Sequence, residues 1–122
     1  MNKTISMLKM NNLNVKVKIG VSDEERLVDK EISIYVAFHF ATLPKSCIDD
    51  NIENTICYYT VSKAIENYCK NKEFKLIEYL GYEIHQLLKE IYGMDQIIEI
   101  RIIKKNPLGN NILENAEFMY IE

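Results

Sequence analysis

Four side chains in this 122-residue sequence are singled out as able to carry chemistry by holding charge or moving protons: Glu25, Tyr58, Glu78 and Lys104. Lys104 has the most informative setting. It follows Ile97-Ile98-Glu99-Ile100-Arg101-Ile102-Ile103 and precedes Lys105-Asn106-Pro107. Successive strand residues point to opposite faces, so Ile98, Ile100 and Ile102 share one face and Lys104 is in phase with them. Two outcomes are open. At a fraying strand end, where Asn106-Pro107 stops the ladder, the amine snorkels out to water. Held partly desolvated, the same amine loses its proton more readily and becomes a general base near neutral pH.

The other three are less specific taken singly. Glu25 lies in the acidic connection Val21-Ser22-Asp23-Glu24-Glu25-Arg26 after Gly20, where a glutamate is ordinarily solvated. Tyr58 stands where helical periodicity begins, just after Ile56-Cys57, a place that suits a half-buried aromatic. Glu78 falls in the first turn of a helix, where a carboxylate complements the helix dipole. That setting also favours its ionised form, an acceptor for paired N–H donors on a ligand.

The elements that position these residues follow from periodicity. Residues 5–19 predict a first strand, with Val15, Val17 and Ile19 alternating against Asn14, Lys16 and Lys18. In a second strand Ile32, Ile34, Val36, Phe38 and Phe40 take one face, and Ser33, Tyr35, Ala37 and His39 the other. His39 is therefore a sheet-face histidine without a chemical role. Pro44 breaks the pattern and Asp49-Asp50-Asn51 marks a turn. A helix begins near Tyr58 with Val61, Ala64, Ile65, Tyr68 and Cys69 as its apolar stripe. After Lys70-Asn71-Lys72-Glu73 a second helix is predicted to gather Leu76, Leu80, Ile84, Leu87, Leu88 and Ile91 inward. Glu78, Tyr82, His85 and Lys89 fall on its outer side. Gly93 ends it, the isoleucine strand follows, and Ala116–Ile121 forms a last strand. Two strands, two helices and two strands predict an α+β fold, an antiparallel sheet with both helices on one face. Open edges and a back face carrying Tyr35, Ala37, Ile103 and Met119 predict self-association.

Length and 48% apolar content suit one domain over residues 1–122, able to bury roughly two-thirds of its unfolded surface. A net charge of −3, with lysines interleaved among acids, argues against a nucleic-acid partner. No apolar run reaches membrane-span length and the Met1-Asn2-Lys3-Thr4 start lacks a signal-peptide core, so a cytoplasmic protein is expected. Cys47, Cys57 and Cys69 suit reduced packing thiols, with no neighbouring feature that favours a thiolate. With His39 and His85 they show no metal-ligand spacing, and no metal is expected.

Taken together, four segments are specific. They are Gly20-Val21-Ser22-Asp23-Glu24-Glu25, Asp50-Asn51-Ile52-Glu53-Asn54-Thr55-Ile56-Cys57-Tyr58, Phe74-Lys75-Leu76-Ile77-Glu78-Tyr79-Leu80 and Ile102-Ile103-Lys104-Lys105-Asn106-Pro107. In that order they resemble the dihydroneopterin aldolase family, over essentially the whole chain. The resemblance implies the tunnelling fold, in which ββααββ subunits join their sheets into a ring-shaped barrel of four and two rings stack into eight. It implies active sites between neighbouring subunits and a pterin substrate. The activity implied is cofactor-free retro-aldol cleavage of 7,8-dihydroneopterin, in folate biosynthesis, to 6-hydroxymethyl-7,8-dihydropterin and glycolaldehyde. Residue by residue, Glu78 matches the family's anchor for the pterin N–H edge, and Ile77 and Ile56 match its backbone contacts to the ring. Tyr58, Lys104 and Glu25 match its active-site tyrosine, lysine and loop glutamate. The sequence departs from the family where Lys30 replaces a frequent Gln, where Tyr35 replaces a frequent Asp, and at Leu108-Gly109-Asn110-Asn111. Tyr59-Thr60-Val61-Ser62-Lys63 and Phe38-His39-Phe40 are similar to a sister enzyme, dihydroneopterin triphosphate epimerase, which shares the four residue types. A pterin-binding oligomer without catalysis is the remaining alternative.

Overall fold

The structure, a computed structural model, describes residues 5–122. The Met1–Thr4 start, read above for its lack of a signal-peptide core, lies outside the described residues. Alternating apolar residues build a sheet of order β3-β1-β2-β4-β5. Its strands are β1 (Ser6–Ile19), β2 (Lys30–Phe40), β3 (Glu73–Phe74), β4 (Ile97–Lys105) and β5 (Asn115–Ile121). The helices are α1 (Ser46–Asp49), α2 (Tyr58–Cys69) and α3 (Ile77–Tyr92).

Ile32, Ile34, Val36 and Phe38 of β2 and Ile98, Ile100 and Ile102 of β4 are fully buried. They pack beneath Val61 and Ile65 of α2 and Leu80, Ile84 and Leu88 of α3, so both long helices cover one face. Each such side chain contributes roughly 1.5–3 kcal/mol by leaving water. At Gly81 a Cβ would lie 2.7 Å from Phe118 and 3.1 Å from Ile102, so the missing side chain sets how closely α3 approaches β4 and β5.

Three expectations are corrected. A plain ββααββ order with a purely antiparallel sheet omits β3, which separates α2 from α3. β3 pairs in parallel with β1 through Lys18–Glu73 and Ile19–Phe74, and its Phe74 carbonyl receives the Gly20 N–H at 3.0 Å. The Asp49-Asp50-Asn51 turn begins inside a single helical turn, α1, whose last residue is Asp49 and which Asp50 ends with φ 53°. On α3 the inward face is rotated: His85 and Lys89 are buried, whereas Leu76 and Ile91 are about half exposed. The two polar heads enter because distant backbone receives them. His85 Nε2 lies 3.0 Å from the Ile98 carbonyl, and Lys89 donates to the carbonyls of Met94 and Gln96 at 3.0 and 2.5 Å.

The back face carries charge in pairs. Glu99 is buried, with His39 Nε2 at 3.2 Å and Arg101 Nε at 2.8 Å, and the Arg101 guanidinium lies over the Tyr35 ring. Burial would raise the Glu99 carboxyl, but its hydrogen bonds to Arg101 and His39, with the Arg101 charge, outweigh it and hold it below its ordinary value. His39 is thus on a sheet face, as its phase predicts, while His85 lies under α3 on the other side. β1 carries one residue more than β2 between the pairs Met10–Val36 and Leu13–Ile34, with Asn12 at φ 61°.

Candidate active site

The loop after β1 is built around Glu25. Ser22 and Glu25 satisfy each other: the Glu25 N–H donates to Ser22 Oγ at 3.2 Å, and Glu25 Oε1 accepts from the Ser22 hydroxyl at 3.2 Å and the Ser22 N–H at 3.4 Å. The spacing Ser22-x-x-Glu25 is that of a capping box. The loop folds tightly enough that a Cβ at Gly20 would lie 2.3 Å from Glu25 Cβ, which only glycine avoids. The second carboxylate oxygen, Oε2, faces Lys104 Nζ at 3.8 Å. Lys30 donates from Nζ to the Glu25 carbonyl. The Ser22 hydrogen bonds, assisted by the charges of Lys104 and Lys30, hold the Glu25 carboxyl below its ordinary range.

Lys104 keeps the inward phase of the isoleucines, and its side chain is only 17% exposed. The strand ends one residue later, where Asn106 turns with φ 45° and donates its N–H to the Glu114 carbonyl at 2.7 Å. Beside the ion pair opens a cavity of about 680 Å³, between Glu25, Lys30 and Glu31 on one side and Lys104, Lys105 and Pro107 on the other. Its acid and amine can orient water, exchange a proton and balance charge developing on a bound molecule.

The start of α3 lies at this same end of the sheet. α3 and β4 run antiparallel, with His85 beside Ile98 and Gly81 beside Ile102. One turn back along the helix, to Ile77, and two residues forward along the strand, to Lys104, therefore lead the same way. Glu78 is exposed there, and the N-cap Leu76 makes no side-chain cap, so first-turn N–H groups remain available to a ligand.

Ile56 and Tyr58 are elsewhere. The C-terminal end of α2, at Cys69, borders Lys16 and Lys18 near the end of β1. Tyr58, at the helix's other end, thus belongs to the opposite end of the sheet, where it is 67% exposed. That end holds a cavity of about 720 Å³ between Phe40, Leu43, Pro44, Asn54, Tyr92 and Ile97. One chain pairs Glu25 with Lys104, has the start of α3 at the same end of the sheet, and leaves Tyr58 and Ile56 at the other.

Two features escape periodicity. Arg26 is buried next to Glu25 and is detectable in sequence only as one base in an acidic run. Cys57 is the N-cap of α2 without a side-chain cap hydrogen bond, and the nearby N–H and hydroxyl of Thr60 draw its thiol below the ordinary range. This corrects the expectation that nothing near Cys57 favours a thiolate.

An α+β chain with its charged pair at a sheet end has close counterparts. The FolB dihydroneopterin aldolase family model matches residues 8–119. The chain belongs to the dihydroneopterin aldolase family. It is 32% identical over 112 residues to a probable dihydroneopterin aldolase of Chlamydia muridarum, covering 91% of this chain and 92% of the relative. It is 27% identical over 103 residues to the dihydroneopterin triphosphate 2'-epimerase of Escherichia coli, covering 84% of each. The crystal structure of E. coli dihydroneopterin aldolase in complex with neopterin has the same fold. Its TM-score is 0.85 at 16% identity, over 96% of this chain and 98% of that one.

Proposed function

We propose that the protein is a dihydroneopterin aldolase that works as a ring of copies, each site closed by two neighbouring chains. The observation that carries this is the Glu25–Lys104 pair at one end of the sheet, 3.8 Å apart and beside a cavity. Family membership supplies the substrate class.

In the proposed reaction the pterin lies against α3. The Glu78 carboxylate accepts its N–H edge, the Ile77 backbone contacts the ring, and Ile56 of a neighbouring copy adds a further backbone contact. Lys104, through a water oriented by Glu25, removes the proton of the side-chain hydroxyl carried by the distal carbon of the bond that breaks. That C–O becomes the glycolaldehyde carbonyl. The electrons of the C–C bond move into the ring's C6=N5 imine, and the resulting enol-like intermediate is reprotonated on carbon with Tyr58 of the neighbouring copy relaying the proton. The substrate's own imine is the electron sink, so the residues only position, transfer protons and balance charge.

A second reading is favoured by the epimerase relative and its 84% coverage: the same bond breaks and re-forms with the other configuration. Supplying the purified protein with 7,8-dihydroneopterin and with its triphosphate separates the two. Stoichiometric glycolaldehyde and hydroxymethyl-dihydropterin are expected from dihydroneopterin. Epimer without aldehyde moves the assignment to the sister activity, and no turnover of either refutes catalysis.

A further inference from the structure

Arg26 is the one buried residue of the Glu25 loop whose charge the proposed reaction does not use. Its side chain is 9% exposed. It donates from Nη1 to the carbonyls of Gly20 at 2.6 Å and Val21 at 2.9 Å, and from Nη2 to Asp23 Oδ1. Its Nε lies 3.4 Å from Glu73 Oε1 on β3. A single guanidinium thus collects the first two carbonyls of the loop, an acid in its middle, and the strand that leads three residues later into α3. Only a planar, multi-donor cation reaches all four, and a lysine head is a compact point charge. The contacts fix both ends of the turn that carries Glu25 and tie that turn to the segment carrying Glu78.

We infer that Arg26 is a positioning residue for the proposed reaction: it holds the Glu25 loop against β3, so that Glu25 Oε2 faces Lys104 at a set place relative to the pterin-anchoring start of α3. This rests on the aldolase reading. It separates Arg26 from a merely stabilising arginine, because the clamped loop ends on a group facing the lysine, not on the core. A loop freed of its clamp keeps Glu25 and Lys104 but loses their registration, and small misplacements of this kind cost about 10- to 100-fold in turnover.

The test is a double-mutant cycle on the full-length assembly. Arg26→Ala is expected to lower kcat by about 10- to 100-fold, with the dissociation constant for neopterin changed less than about threefold. Arg26→Lys is expected to recover part of the loss. In a Glu25→Gln background Arg26→Ala is expected to change kcat less than about twofold, because it acts through Glu25. Glu73→Gln, which cuts only the tie to β3, gives a smaller fall of the same kind and serves should Arg26→Ala not fold. An equal fall in both backgrounds, or a native kcat in the single variants, overturns the inference. Failure of the aldolase reading looks different, since the unaltered protein then releases no glycolaldehyde from dihydroneopterin. The clamp is in that case judged by the Glu25 carboxyl titration in NMR: Arg26→Ala should move it upward toward 4.5, the ordinary value, and an unmoved titration overturns the inference.

Discussion

The two ends of the sheet are built differently. At the Lys104 end, hydrogen bonds and charges hold the loop and the lysine: Ser22 holds Glu25, Glu25 faces Lys104, and Arg26 binds the loop to β3. At the Tyr58 end, half-buried Phe40 and Tyr92 line a cavity, and Tyr58 and Tyr59 are exposed. One end is held by its own chain's polar groups and the other is open. The contrast teaches what the proposed ring requires: the two unlike ends of one chain would be halves of different sites, each completed by an adjacent copy.

The largest effect should come from breaking each half separately. Lys104→Ala is expected to lower kcat about 10²- to 10⁴-fold, the usual worth of a general base, and Tyr58→Ala to be severely impaired as well. Mixed after unfolding and joint refolding, the two inactive variants should regain roughly a quarter of native activity, the random share of sites with both native halves in a cyclic assembly. If the mixture stays as inactive as its parts, both halves belong to one chain and the comparison collapses. Next in size, Glu78→Ala should weaken pterin binding about 10- to 100-fold by calorimetry, since ring N–H groups lose a charged acceptor. A fall in kcat at native affinity would place Glu78 in the chemistry instead.

The smallest effect tests the spine between the ends. His85 is fully buried against Ile98 and Tyr120, with Lys89 on its own helix and Glu122 beyond β5 as the charged neighbours. Burial pushes its imidazole below the ordinary 6.5. A depressed histidine makes the unfolded chain bind protons first, so stability is full above pH 6.5 and falls as pH drops toward the folded value. The slope is at most about 1.4 kcal/mol per pH unit. Urea melts at pH 7.5 and 5.5 should therefore show a larger loss in the native chain than in His85→Phe, and equal losses would show that His85 does not titrate on unfolding.

What could be foreseen divides along the same line. The four long strands and both long helices follow from period alone, and so does the inward phase of Lys104, because burial of Ile98, Ile100 and Ile102 fixes it; the two-residue β3 does not. Glu25, Tyr58 and Glu78 became specific only as ordered motifs. The rotation of α3 was hidden, since His85 and Lys89 read as polar until the carbonyls of Ile98, Met94 and Gln96 come near in space. Arg26 was hidden for the same reason, as its partners belong to a loop shape and to β3. Periodicity reports which side a residue faces and is silent about partners that only folding brings together.

The extra residue at Asn12 makes the first half of β1 count differently from the second. Before it Leu8 and Met10 turn toward the helices, and after it Leu13, Val15 and Val17 do. The strand thus contains a built-in frame correction, and Asn11-Asn12 is where the frame is shifted. A one-residue deletion there should send Leu8 and Met10 outward and Lys9 inward, whereas the paired insertion and deletion that restores the count should be tolerated. The chain's length tolerance in this strand is accordingly quantised, although no residue of the site lies within it.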